Sequence, residues 1–358
     1  MRVIHLSAEE SWRGGEQQLA YLITELNQLG CKQLVVCKTN SAFENYCKSN
    51  AIGYVSLPFK NQFDIYSSIK IKSIAKDFKA DIIHAHSSHA HSLAVWAYYL
   101  GNKTKIVLSR KVDFAVSNNF LSRLKYNCKG IKKIICVSIA VQKILIKSLK
   151  NPAITTVVYD GIDLNKFGKK SSHILRKEFN IGNDKLIIAS TAALADHKDY
   201  PTFIKMVSAL SEFQNFQFFI IGTGPLANQL KQKVEALKLN EKIIFTDFRN
   251  DLDKILPDID VFVLCSKTEG LGSSILDAFA CGVPVVATAA GGIPELIRDN
   301  ENGILVPIGN ADLLAKSVAT ILQNNSLKER LIINGKQSAI DFSKERMAAD
   351  TLKVYQSI

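Results

Sequence analysis

Twelve short apolar runs, each with the length of a buried strand, alternate along this chain with segments of helical period, and the alternation leaves few folds open. The first series falls at 3–6, 34–37, 81–84, 105–108, 134–137 and 156–159, separated by helix-period stretches such as 15–29, 65–78 and 139–149. A second series falls at 186–190, 218–221, 243–246, 261–264, 283–287 and 303–306. Strands that are apolar on both faces and joined by helices belong to parallel sheets, because a parallel connection needs a crossover. The expected class is therefore α/β, with two Rossmann-like, doubly wound parallel-sheet domains in tandem. A length of 358 residues agrees, since one hydrophobic core rarely serves so long a chain. The join is expected within 161–172, where Gly161, Gly168, Lys169, Lys170, Ser171 and Ser172 interrupt any apolar period. This sets domains at 1–165 and 166–342, with a last helix at about 343–355.

Composition removes several functional classes. Seven cysteines are scattered at 31, 37, 47, 128, 136, 265 and 281 without a C-x-x-C pair, so neither a disulfide framework nor a thiolate zinc site is expected. The opening strand reaches Ser7-Ala8-Glu9-Glu10 too soon for a signal-peptide core, and no apolar run approaches the roughly 18 to 20 residues that cross a bilayer. A cytoplasmic location is the expectation. Charge is lopsided: residues 1–168 hold about 23 Lys and Arg against about 11 Asp and Glu, whereas the rest holds about 22 of each. Lys70, Lys72, Lys76 and Lys79 cluster on one expected helix, and Arg123, Lys125, Lys129, Lys132 and Lys133 cluster further on. The first domain should meet an anionic partner, such as lipid headgroups or a phosphorylated glycan. No recognition helix, zinc finger or RNP pattern supports nucleic acid.

Chemistry concentrates at 266–297. A strand at 261–265 runs into a loop with Glu269, Gly270, Leu271, Gly272, Ser273 and Ser274, and a helix follows from Ile275. Small residues allow close backbone approach, and the unpaired N–H groups of the helix start face the loop, which makes an anion site. Asp277 stands two helical turns after Glu269. Gly291-Gly292 and Pro294 then open a second strand-to-helix unit before Glu295.

This segment resembles the E-x7-E region of retaining GT-B glycosyltransferases of the group 1, family 4 type, whose two domains face each other across a cleft. The resemblance implies that Glu269 holds the donor sugar's hydroxyls, that Asp277 contacts the ribose with Asp in place of the family's Glu, and that the amides of 270–274 bind the donor pyrophosphate. Gly14 and Gly15 resemble the family's G-G loop over the donor phosphates, and Gly222-Thr223-Gly224-Pro225 its G-x-G-P turn. Phe248 and Arg249 fall where backbone atoms would meet the nucleobase. The segment from Ala192 to Asp199 aligns with G-R-L-x-x-x-K-G and keeps the phosphate-binding cation as Lys198, with Ala193 in place of the Arg. The family's helix at 343–358 would pack back on the first domain.

A second departure lies after the fifth run, where Lys111 occupies the family's histidine position. Arg110 or Lys111 is expected to stabilise acceptor or phosphate charge, and Asp113 to meet the acceptor hydroxyl. His84 and His86, at i and i+2 with no carboxylate or Cys to complete a set, are not expected to bind metal, nor are the D-x-D pairs at Asp251/Asp253 and Asp258/Asp260. The resemblance implies no metal or other cofactor for donor binding. It implies transfer of a hexose with retention, from GDP-mannose first and a UDP-hexose next. The acceptor would be a lipid-linked glycan of the lipopolysaccharide-core or surface-polysaccharide kind, met at the cytoplasmic face of the inner membrane. The rivals are a GT-B sugar-nucleotide epimerase and an NAD-dependent oxidoreductase. The latter is disfavoured because no tight G-x-G-x-x-G follows the first strand.

Overall fold

The computed structural model describes residues 1–117, 119–167 and 173–358. The chain divides into two compact units, one of Met1–Gly161 with Lys344–Ile358 and one of Ile162–Ser343. Of the stretch that marks the expected join, 168–172 lie outside the described residues.

The first unit is built on a seven-stranded sheet: β1 (Arg2–Ser7), β2 (Lys32–Lys38), β3 (Tyr54–Leu57), β4 (Ile82–Ala85), β5 (Lys105–Arg110), β6 (Ile131–Cys136) and β7 (Thr155–Val157). Their order is β3-β2-β1-β4-β5-β6-β7, and every pairing is parallel. The second unit holds β8 (Leu186–Thr191), β9 (Phe216–Ile221), β10 (Ile243–Phe245), β11 (Val261–Leu264), β12 (Val285–Thr288) and β13 (Ile304–Val306), ordered β10-β9-β8-β11-β12-β13 and again all parallel. Each sheet winds outward in both directions from its first strand. The chain reverses between β1 and β4 in one unit and between β8 and β11 in the other, and a crevice opens beyond the strand ends at such a point.

Central strands such as β4, β9, β11 and β12 are buried along their whole length, which is why their sequences read as unbroken apolar runs. β3 escaped the sequence reading because it lies at the sheet edge, short and mostly half-buried. Helix Lys344–Gln356 belongs to the first unit, where Met347, Ala348, Val354 and Tyr355 join Leu22, Leu26 and Ile82 in one core. Burying side chains of this size stabilises by roughly 1.5–3 kcal/mol each. Lys344 adds an ion pair of 3.2 Å to Glu25. All seven cysteines are free, six of them buried. Among the described residues no helix is long and apolar enough to cross a membrane.

Candidate active site

The second unit brings Lys198 and Glu269 together at its reversal point. Lys198 ends a short 3-10 turn, Asp196–Lys198, beyond β8, and Glu269 lies on the loop beyond β11. The Lys198 ammonium stands 2.5 Å from Glu269 Oε2, which also accepts from the Ser266 hydroxyl at 3.0 Å. Both side chains are mostly buried, 16% and 13% exposed, so their attraction is screened little. The two loops are tied by the Lys267 N–H donating to the His197 carbonyl at 2.8 Å.

Two glycines fix this arrangement by what they lack. Gly291 has φ +52°, and a Cβ there would stand 1.9 Å from the Glu269 carbonyl oxygen, the same oxygen that accepts from the Gly292 N–H at 3.0 Å. Gly222, at φ +140°, would place a Cβ 2.2 Å from the Ala192 carbonyl oxygen, so its turn seats directly against the loop that leads to Lys198. The sequence marked these glycines as turn punctuation; the structure shows that they admit neighbouring backbone.

Helix Ser273–Cys281 starts from Gly272, which has no side chain to cap the first turn. Its amide end is therefore open to a ligand oxygen, with Gly270 and the buried Leu271 in the loop just before it. On this helix Asp277 is half-exposed by area yet deeply surrounded by protein atoms. Burial pushes its carboxyl up to about 7, with Lys166 acting in the opposite direction. Phe248 is 61% exposed, while the Arg249 guanidinium is taken up by Asp251 at 2.8 Å and Glu178 at 2.6 Å. Of the two D-x-D pairs, the second serves the fold: the Asp258 carboxylate accepts from the His173 and Leu175 N–H groups, and that of Asp260 from the Ile187 N–H and from Lys328. At the position where Ala193 replaces an Arg, the loops still carry a second cation, Lys267, paired with Asp196 at 3.2 Å.

Gly14, Gly15, Lys111 and Asp113 belong to the first unit. Gly14 and Gly15 open helix Gly14–Gln28 with no heavy atom within 4 Å of where a Cβ would stand, so this backbone is bare. Lys111, just past β5, pairs with Asp160, just past β7. Sequence reasoning missed Asp160, although an acid directly after a strand of a parallel sheet is the available signal. Asp113 is half-buried.

Three histidines meet at this unit's reversal point, where β1 and β4 pair His5 with His84. Gln33 donates to the Ile23 carbonyl at 2.8 Å, which turns its amide oxygen toward His5. His5 Nε2–H then donates to Gln33 Oε1 at 3.0 Å, and His5 Nδ1 accepts from His86 Nε2–H at 3.0 Å. His86 Nδ1 faces the Ser109 hydroxyl at 3.5 Å. That hydroxyl accepts from His84 Nε2–H at 2.8 Å, and Tyr355 donates its hydroxyl proton to His84 Nδ1 at 2.6 Å. One tautomer, Nε2–H, satisfies all three rings. Burial keeps them neutral, holding His5 down to about 4 and His84 and His86 well below 6.5. The ring nitrogens also lie within 4.8 Å of one another, a set able to hold a metal ion. No carboxylate or Cys is among the three; the third ring is His5, contributed from the neighbouring strand and outside the expectation drawn from His84 and His86 alone. A metal would have to compete with the hydrogen bonds of this relay.

Comparison with known proteins identifies the family of each unit. The family model for glycosyl transferases group 1 matches residues 171–338, and that for glycosyltransferase family 4 matches 12–166. The N-acetylgalactosamine-N,N'-diacetylbacillosaminyl-diphospho-undecaprenol 4-alpha-N-acetylgalactosaminyltransferase of Campylobacter jejuni is 25% identical over 319 residues, which is 84% of this chain and 81% of that one. The lipopolysaccharide core biosynthesis glycosyltransferase LpsE of Rhizobium meliloti is 30% identical over 183 residues, 51% of this chain and 53% of that one. Among solved structures, HepE of Anabaena in complex with UDP-glucose superposes with a TM-score of 0.89 at 20% identity, over 100% of both chains. With the two family models taking one unit each, this chain belongs to the group 1, family 4 glycosyltransferases of the GT-B fold.

Proposed function

We propose that this glycosyltransferase moves a hexose with retention from a nucleotide sugar, a UDP-hexose ahead of GDP-mannose, to a lipid-linked acceptor in surface-glycan or lipopolysaccharide synthesis. The observation that carries the reading is the Lys198–Glu269 pair beside the uncapped start of helix Ser273–Cys281. In this reading the donor parts the pair. Its sugar hydroxyls take the Glu269 carboxylate, its pyrophosphate takes Lys198 and the amides of 270–274, and its ribose meets Asp277. As the bond from the anomeric carbon to the phosphate oxygen breaks, negative charge grows on the leaving diphosphate, and Lys198 and the helix amides are already placed to stabilise it. The departing phosphate oxygen then accepts the proton of the attacking acceptor hydroxyl on the same face. On the acceptor side the assignments are Lys111 for charge and Asp113 for the hydroxyl. No bound metal enters any step.

UDP comes first because UDP-glucose is bound in the structurally similar HepE. The lipid-linked acceptor rests on the C. jejuni relative, whose name carries a diphospho-undecaprenol acceptor, and on the R. meliloti lipopolysaccharide-core relative. The first unit is also the basic one, and Ile65, Tyr66 and Ile69 are exposed beside Lys70 on one helix, a surface suited to peripheral contact with anionic lipid at the cytoplasmic face of the inner membrane.

The test is thermal stabilisation by UDP-, GDP-, ADP- and CMP-sugars with EDTA present and NAD alongside. Saturation at 100 times Kd contributes about 2.7 kcal/mol of stability. A shift with UDP-sugars alone is expected. A shift only with NAD, or with no nucleotide, would overturn the reading.

A further inference from the structure

The first unit contains a pocket of about 500 Å³ that the donor chemistry does not use. It lies among helix Ser88–Tyr99, the end of β5 and helix Phe120–Tyr126. Among its described lining residues two are cations, Arg110 and Lys125, and none is an acid. Their present partners are all neutral. The Lys125 ammonium donates to the Ser88 carbonyl at 2.6 Å and to the Ser88 hydroxyl at 3.1 Å. The Arg110 guanidinium donates to the Tyr126 hydroxyl at 2.8 Å and to the Phe114 carbonyl. Both cations are half-buried. Burial and the Arg110 charge together push the Lys125 amine down to about 8.

Two like charges drawn out of water into one pocket without a counter-ion are an unfavourable arrangement, and an entering anion relieves it. The rest of the lining says what the anion is attached to. Trp96, Phe114, Leu121 and Leu124 form an apolar wall beside the cations. Phe114 is 54% exposed and Leu121 50%, and the neighbouring Phe120 is 76% exposed. Inorganic phosphate would leave this wall wet, and an uncharged lipid would leave the cations unpaired. The ligand that answers both is a phosphate or diphosphate ester of a long apolar alcohol.

Building on the lipid-linked acceptor reading, we propose that this pocket grips the phosphorylated end of the acceptor's lipid. Arg110 and Lys125 pair with the phosphate oxygens, and Trp96, Phe114 and Leu121 cover the first part of the hydrocarbon. The donor site recognises nucleotide and sugar; this pocket selects acceptors by their anchor.

Farnesyl diphosphate is a water-soluble probe of this chemistry, with farnesol and inorganic pyrophosphate as its two halves. Trp96 is one of only two tryptophans and lines the pocket, so its emission reports occupancy, and Trp96→Phe checks the origin of the signal. Saturable binding of farnesyl diphosphate at least tenfold tighter than either half is expected, weakened tenfold or more by Arg110→Gln and by Lys125→Met. UDP-sugar stabilisation in the same variants confirms that they fold, and Arg110→Lys, which keeps the charge, should retain part of the affinity. Equal binding of pyrophosphate, unchanged binding in the variants, or binding only to anionic phosphatidylglycerol vesicles would each overturn the proposal. Transfer assays separate it from the reading beneath it. If the enzyme glycosylates a diphospholipid-linked sugar and both variants keep wild-type KM for it, the pocket assignment fails alone; if only soluble acceptors are used, both fail.

Discussion

The two units share a plan and differ in what they place at its centre. Each sheet reverses at its first strand, so each presents a crevice at the same topological point. In the second unit that point holds an ion pair, Lys198 with Glu269, on loops where small residues let backbone pack on backbone. In the first it holds three neutral histidines, Ser109 and a tyrosine from a distant helix, hydrogen-bonded end to end. A doubly wound sheet supplies the place, and the residues at the strand ends decide whether that place carries charge for a ligand or a closed polar network.

The comparison breaks most visibly if the charged pair proves structural. Glu269→Ala should lower turnover by about 10³-fold or more with little change in unfolding temperature, read in a donor-saturated transfer assay. Turnover like the wild type would remove Glu269 from the mechanism. His84→Ala should do the reverse, leaving Tyr355 without its partner and Ser109 with only the 3.5 Å contact to His86, and lowering stability by about 2–4 kcal/mol in urea unfolding, while the protein that remains folded still binds nucleotide.

Proton linkage gives the contrast opposite signs. His5, His84 and His86 lie below their unfolded value of 6.5, so the stability they contribute is complete above that pH and is lost as pH falls toward about 4. Asp277 lies above its unfolded value of 3.8, so its contribution is complete below that pH and is lost as pH rises through about 7. Hydrogen exchange corrected for intrinsic rates should show the first unit losing protection at pH 5 and the second gaining it, and Asp277→Asn should abolish only the second trend. The smallest effect is expected from Tyr355→Phe, which removes one end of the relay at a cost of about 1 kcal/mol. An unchanged melting temperature would show that the His84–Tyr355 bond adds nothing.

How much was legible in the sequence follows from range. The central strands were readable because burial on both faces writes itself into consecutive residues, and the short edge strand Tyr54–Leu57, mostly half-buried, was not. Glu269 and the helix start after Gly272 could be found because they lie within a few residues of each other. That Lys198 would meet Glu269 across 71 positions, or that His5 would complete a cluster with His84 and His86, depends on strand order and register, which no local pattern encodes. The D-x-D spacing at 258–260 resembles a metal motif, and the partners that occupy it, the backbone N–H groups of His173, Leu175 and Ile187, lie 73 to 85 positions away, beyond any local pattern.

Helix Lys344–Gln356 belongs to the first unit although the whole second unit precedes it in the chain. During synthesis the first unit therefore waits. Its histidine relay lacks Tyr355, and the core around Leu22 and Leu26 lacks Met347 and Val354, until all of Ile162–Ser343 has left the ribosome. The unit begun first is finished last, and the nascent chain carries part of that core uncovered for as long as the second unit takes to be made.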